Sequence, residues 1–292
     1  MLPVSVKIRA PAKINLGLRV VGRRDDGYHL LDTIMVPVSL YDEIHIVAKS
    51  ARQVRSSSSK LTVTCDNPAV PSDEGNIVFR AANLIIEENS IREKVEIHIK
   101  KRIPIGAGLG GGSSDAAATL IAMNSLFRLN YSMRRLKKRA YGLGADVPFF
   151  IDCRPARARG IGERLTPIKS LPWEWAVIVY PGFPVATSWV YRKFAAKLTK
   201  LMANTSIISP LRTSSGQQRL LVNDLESVTV ARYPRIKSLK RELIAEGAAG
   251  ALMSGSGSAV FGLFDSRGNA ARALSRLQKE DGVDTFLVRL LI

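Results

Sequence analysis

The sequence predicts an α+β fold, and three observations carry that prediction. Apolar and polar residues alternate over 4–8, 14–20, 31–38 and 42–48, the period-two pattern of half-buried strands. No helical spacing separates these runs, which argues against a doubly wound parallel sheet, where crossover helices would have to intervene. Helical and strand-like patterns then mix from residue 77 to the end.

In chain order, the second and third strands are joined by Gly22-Arg23-Arg24-Asp25-Asp26-Gly27-Tyr28-His29, whose glycines and aspartates form turns readily. Residues 49–60, with a serine run at 56–59, are expected to form an exposed hairpin connection before a strand at 61–65. Helical spacing runs from Ile77 to Glu88 through Ala81, Ala82, Leu84 and Ile85, with Asn76 available as a cap. After a strand at 95–99, a long helix is expected to start at Ser113 or Ser114 and to bury Ala117, Leu120, Ile121, Met123 and Phe127. A basic helix at 133–141 and a strand at 147–153 follow. Beyond them come a buried strand at 175–180, a helix at 187–201, a weakly patterned segment to 217 and a helical region over 223–246. A strand at 259–264, a helix at 267–279 and a strand at 285–291 complete the chain. Arginine, glycine and proline interrupt the apolar pattern near 155–172, so the expected domains are 1–160 and 161–292.

The 292 residues are 46% hydrophobic and 23% charged, a balance that suits a folded chain rather than a disordered one. The net charge of +18 admits a nucleic acid, an anionic metabolite or a merely basic surface. The basic residues are dispersed and no Cys or His spacing resembles a zinc finger, so nucleic acid is not the expected partner. Cys65 and Cys153 stand far apart without a CxxC, as reduced thiols of an intracellular protein would, and the sequence leaves a disulfide between them open. The N-terminus alternates instead of presenting a signal peptide, and no apolar run reaches about 18 residues. Cytoplasm, with no membrane partner, is the expectation, and the sequence leaves a monomer or a homodimer open.

The strongest chemical signal is Pro104-Ile105-Gly106-Ala107-Gly108-Leu109-Gly110-Gly111-Gly112-Ser113-Ser114-Asp115. Consecutive small residues let a chain turn tightly around phosphate oxygens, and the helix that follows presents unpaired amides at its start. A flexible loop leading into a capped helix is the competing explanation. The Gly106-x-Gly108-x-x-Gly111 match to a dinucleotide pattern lacks the opening βαβ unit, and no lysine precedes Ser113 as a P-loop requires. Ser254-Gly255-Ser256-Gly257-Ser258 supplies a second hydroxyl-rich turn, which alone is more often structural.

Lys13 and Asn15 share one side of an extended segment, where a lysine neutralises a forming alkoxide, attracts phosphate, or simply stands in solvent. Asp146, between Gly144 and an apolar run, either orients or deprotonates a hydroxyl or caps a turn. Tyr28 and His29, adjacent in a polar turn, offer a stacking face and a directional hydrogen bond. His29, His45 and His98 do not form a metal triad, and no carboxylate cluster identifies a metal ligand.

Pro11-Ala12-Lys13-Ile14-Asn15-Leu16, Asp26-Gly27-Tyr28-His29, the run 104–115, Gly144-Ala145-Asp146-Val147-Pro148-Phe149, Asn223-Asp224-Leu225-Glu226 and Ser254-Gly255-Ser256-Gly257 occur together. In that order they resemble the GHMP family of small-molecule kinases, named for galactokinase, homoserine kinase, mevalonate kinase and phosphomevalonate kinase. The resemblance extends from Ala10 nearly to the C-terminus. It implies an N-terminal domain like ribosomal protein S5 domain 2, carrying the glycine loop, and a C-terminal GHMP kinase domain contributing to the substrate cleft. It further implies ATP with Mg2+, a catalytic pair in Lys13 and Asp146, and nucleotide contacts from Pro104, Gly106, Gly108, Gly110, Gly111, Gly112, Ser113, Ser114 and Asp115. Asn76 and Lys101 are implied on the adenosine side.

The Asp26-Gly27-Tyr28-His29 and 144–149 motifs narrow the implied substrate to 4-diphosphocytidyl-2-C-methyl-D-erythritol (CDP-ME), phosphorylated at its 2-hydroxyl in non-mevalonate isoprenoid biosynthesis. Asn15, Tyr28, His29 and Tyr191 are the implied substrate contacts, with Tyr28 and His29 recognising cytidine. Another GHMP kinase, acting on an isoprenoid or amino alcohol, is the enzyme alternative; a nucleic-acid-binding module is the non-enzyme one.

Overall fold

The structure, a computed structural model, describes residues 4–50, 60–201 and 221–292. In chain order the elements are β1 (Val4–Arg23), β2 (His29–Lys49), β3 (Leu61–Cys65), α1 (Ile77–Glu88), β4 (Lys94–Lys100), α2 (Gly111–Leu126), α3 (Met133–Leu143) and α4 (Val147–Asp152). Then come β5 (Ala156–Gly160), β6 (Arg164–Pro167), β7 (Trp175–Tyr180), α5 (Thr187–Leu201), β8 (Val222–Asn223), α6 (Glu226–Arg232), α7 (Arg235–Ala245), β9 (Gly250–Met253), β10 (Val260–Phe264), α8 (Arg267–Leu277) and β11 (Asp284–Arg289). The expected connection at 51–59 and the weak pattern at 202–217 lie outside the described residues.

Compaction divides the chain into two units that are not consecutive stretches of sequence. One comprises Met1–Ala12, Tyr41–Ile103 and Gly110–Cys153; the other comprises Lys13–Leu40, Pro104–Leu109 and Arg154–Ile292. In the first unit, β3 runs parallel to β4, and β4 pairs antiparallel with Glu43–Lys49 of β2. Helix α1 packs on α2, α2 on α4 and α3 on α4. Their buried faces carry Val78, Ala81, Ala82 and Ile85 from α1, and Ala116, Ala117, Leu120 and Met123 from α2.

In the second unit, Leu31–Met35 of β2 pairs with β5, β5 pairs with β6, and β1 meets β8 in parallel at Gly17 and Leu18. A separate four-stranded sheet has the order β11-β7-β10-β9. Its core combines Val177, Val179, Val260 and Phe264 with Ile236, Leu239 and Leu243 of α7. Burying a side chain of this size contributes about 1.5–3 kcal/mol.

Four local expectations are corrected. In place of the strand expected at 147–153, residues 147–152 form a helix: Pro148 lies in the first turn, where its missing N–H is harmless, and Val147, Pro148, Phe149, Phe150 and Ile151 are all buried. An apolar run of that kind carries no period by which to distinguish the two. The runs 4–8 and 14–20 belong to one strand that continues through Pro11, where no β8 partner needs its N–H. Residues 31–38 and 42–48 likewise form one strand, β2. The helical region 223–246 is two helices, with Pro234 capping the second.

Candidate phosphoryl-transfer site

In the second unit, β1 carries Lys13 and Asn15, both buried. Lys13 is only 4% exposed, and its Nζ donates to Asn15 Oδ1 at 2.5 Å. Asn15 Nδ2 donates to Thr33 Oγ1 at 2.8 Å, and the Thr33 hydroxyl donates to Gly17 O at 2.6 Å. This relay fixes the amide so that its oxygen faces the ammonium. Alternation placed Lys13 and Asn15 together; Thr33, from the neighbouring strand, gave no sequence signal.

The glycine run divides between the units. Within the second unit its carbonyls are taken up one after another: Val185 N donates to Gly106 O, Ala259 N to Ala107 O, Ser254 Oγ to Gly108 O and Lys13 N to Leu109 O. Gly108 has φ +77°, and a Cβ there would sit 2.0 Å from Ser254 O, so only glycine fits. Pro104 is half-buried beside the run. The turn Ser254–Gly255–Ser256–Gly257–Ser258 thus lies against the first glycine run, and Ser256 Oγ is 2.8 Å from Thr187 Oγ1.

In the first unit, Gly110 caps α2 in the left-handed conformation at φ 71°, and the helix begins at Gly111, earlier than the spacing predicts. The first helical bond shown there is Ser114 N to Gly110 O. The amides of Gly111, Gly112 and Ser113 therefore precede the intrahelical ladder. Ser114 Oγ and Asp115 Oδ1 are buried without a hydrogen-bond partner.

Lys101 and Asp115 meet. Lys101 Nζ lies 2.6 Å from Asp115 Oδ2 and 2.5 Å from Asp42 Oδ2, while Asp42 Oδ1 accepts from the amides of Arg102 and Ile103. Burial opposes the Lys101 ammonium, but the two carboxylates outweigh it and raise its pKa. Burial pushes Asp115 up to about 7, against the pull of Lys101 and with help from the Asp42 charge. Asp42 was missed, although it occupies an inward position of β2 between Leu40 and Ile44, where the pattern calls for an apolar residue. Asn76 caps α1 through Val78 N at 2.9 Å and donates to Pro71 O at 2.7 Å. Asp146, also in the first unit, stands at the start of α4.

Tyr28 is 59% exposed, whereas His29 packs its ring against Tyr191 with centroids 5.1 Å apart. Burial, then the Arg23 charge, lowers the His29 pKa, and its Nε2 is buried without a partner. Among the described residues no group of three His, Cys, Asp or Glu could hold a metal ion, and no helix is long and apolar enough to cross a membrane.

The family profile described as GHMP kinases N terminal domain matches residues 76–153, and that described as GHMP kinases C terminal matches 206–283. A 4-diphosphocytidyl-2-C-methyl-D-erythritol kinase of Citrifermentans bemidjiense is 44% identical over 286 residues, covering 98% of this chain and 99% of that protein. The crystal structure of a 4-(cytidine 5'-diphospho)-2C-methyl-D-erythritol kinase superposes with a TM-score of 0.78 at 37% identity, covering 98% and 99% of the two chains. A homoserine kinase from Cytophaga hutchinsonii, with a TM-score of 0.70 at 19% identity over 98% of this chain and 95% of its own, shares the fold. With the two-domain fold and both family profiles in agreement, the chain belongs to the GHMP kinases, within their 4-diphosphocytidyl-2-C-methyl-D-erythritol kinase branch.

Proposed function

We propose that this chain transfers the γ-phosphoryl group of ATP to the 2-hydroxyl of CDP-ME, giving the 2-phosphate and ADP. The observation that carries the reading is the buried Lys13 ammonium, held by Asn15 Oδ1 on a strand whose backbone is bonded to the glycine run. A cation so held stabilises negative charge forming on an alcohol oxygen without having to reorganise. Asp146 accepts or orients the hydroxyl proton; the oxygen attacks the γ-phosphorus; the bond to the β-phosphate bridging oxygen breaks and ADP leaves.

The run 104–115 holds the triphosphate. Its carbonyls at 106–109 are already engaged, and the first amides of α2 suit phosphate oxygens. Mg2+ bound with the nucleotide would neutralise phosphate charge, and the unpartnered Ser114 hydroxyl is a fitting oxygen donor for it. Asn76 and Lys101 shape the adenosine side through the caps and ion pairs they make. Tyr28 and His29 recognise cytidine, and Tyr191, packed on the His29 ring, is a further substrate contact: a partly buried imidazole beside an aromatic ring suits a base edge. The boundary at 160 falls between the family profiles at 76–153 and 206–283, although the compact units interleave across it.

The test is transfer of label from [γ]-labelled ATP to CDP-ME, run beside homoserine, mevalonate and other alcohols. Labelled CDP-ME phosphate is the expected product; folded protein that labels another alcohol and leaves CDP-ME untouched would refute the substrate assignment.

A further inference from the structure

The motif Asn223-Asp224-Leu225-Glu226 is distinctive in the sequence, yet none of the chemistry above uses it. Asn223 is 6% exposed, and its polar capacity is spent on main chain. Its Nδ2 donates to Met253 O at 2.9 Å and to Gly255 O at 2.7 Å, and its Oδ1 accepts from Leu225 N at 3.0 Å. Glu226 Oε1 accepts from Met253 N at 2.8 Å, and the buried Thr229 hydroxyl lies 3.2 Å from Ser256 O. Strand β9 ends at Met253 and β10 begins at Val260. Within the turn, Ser254 N bonds Ala259 O and Gly257 N bonds Ser254 O, but the carbonyls of Met253, Gly255 and Ser256 need partners from elsewhere. The 223–229 segment supplies them.

The far side of that turn reaches the reacting lysine's support. A Cβ at Gly255 would lie 3.2 Å from Gly108 O and 3.4 Å from Asn15 Oδ1, the atom that receives Lys13 Nζ. Gly255 therefore lies beside the amide that orients the ammonium, close enough that an added methyl group would touch its oxygen. Asn223 itself is registered beside Leu18 on β1, the strand that carries Lys13 and Asn15. Interiors packed this closely pass a displacement from one residue to the next.

We propose that Asn223 is a positioning residue for phosphoryl transfer: by holding Gly255 against Asn15, it sets where the Lys13 ammonium stands. This rests on the reading that Lys13 stabilises the charge forming on the attacking alcohol oxygen. A displacement of about 1 Å at such a centre can cost about a hundredfold in rate. Substrate binding, made through other residues, should suffer far less.

Two pairs of measurements test it. Asn223→Asp keeps the side chain's size and its acceptor for Leu225 N but turns the donor to Met253 O and Gly255 O into an acceptor. Its kcat on CDP-ME should fall by about tenfold or more while KM for ATP and CDP-ME stays within about threefold. Amide exchange should rise at 253–258, 106–109 and 13–15 and remain at the wild-type level elsewhere. Thr229→Val, which removes the hydroxyl, should also lower kcat, whereas Thr229→Ser should restore it; this pair decides the matter if Asn223→Asp does not fold. A folded Asn223→Asp with kcat within about twofold of wild type, or one whose loss lies entirely in KM, overturns the proposal. If the wild type fails to phosphorylate CDP-ME, the functional reading falls instead. Exchange then still judges the clamp, and no rise at 106–109 and 13–15 refutes it.

Discussion

A lysine ammonium that is 4% exposed has left water, and an effective penalty of several kcal/mol must be met by what surrounds it. Lys13 has a fixed amide oxygen at 2.5 Å and a strand that locks its backbone. Lys13→Ala should therefore lower kcat by about a hundredfold to a thousandfold, the scale of losing one preorganised charge-stabilising donor, with a smaller effect on ATP affinity. Asp146→Asn should likewise act on kcat; unimpaired turnover in either variant, measured by steady-state kinetics, would remove that residue from the mechanism. Gly108 gives a stability prediction. A methyl 2.0 Å from Ser254 O at φ +77° should destabilise the protein by about 1–3 kcal/mol, read from urea unfolding. At this scale the sequence exposes residue types at telling spacings, as with Lys13 and Asn15. It does not expose Thr33 or Asp42, because a hydrogen-bond partner on another strand has no fixed separation in the chain.

At the scale of elements, the second turn of α2 is tied to the end of β4 by one cation shared between two carboxylates. Burial of its carboxyl, opposed by Lys101 and helped by the Asp42 charge, is why Asp115 holds its proton up to about 7. An unfolded aspartate releases it near its ordinary value of about 3.9. Folding thus takes up a proton between those values, so this group favours the folded state most below about pH 4, progressively less as pH rises to about 7, and evenly above that. Asp115→Asn should flatten the decline, with the difference in melting temperature between wild type and variant shifting in the variant's favour from pH 5 to pH 8. A constant difference would show that Asp115 ionises normally. The elements themselves were largely legible: α1, β3 and α5 follow their patterns. Helix α4 was not, since uniform burial erases the period, and neither were β5, a five-residue run alternating only alanine with arginine, and β6, four residues that are mostly exposed.

For the whole molecule, a charge of +18 acts on substrates that are both polyanions. Such a field raises encounter rates at low ionic strength and is screened over about 10 Å at 0.1 M salt. The value of kcat/KM for ATP and CDP-ME should fall several-fold between low and physiological salt while kcat changes little, in kinetics run at matched free Mg2+. Salt-independent kcat/KM would confine the charge to a role unrelated to capture.

Sequence alone determined the α+β class, the order of the glycine, lysine and aspartate motifs and the family they mark, because each depends on residue type and local spacing. Tertiary structure decided that two long strands serve two compact units, that the glycine run is shared between them, that Asp42 and Thr33 support the charged groups, and that Asn223 ties down the turn at 253–255. The reason is physical: a buried polar group must find a partner wherever the fold provides one, and chain distance places no limit on where that is.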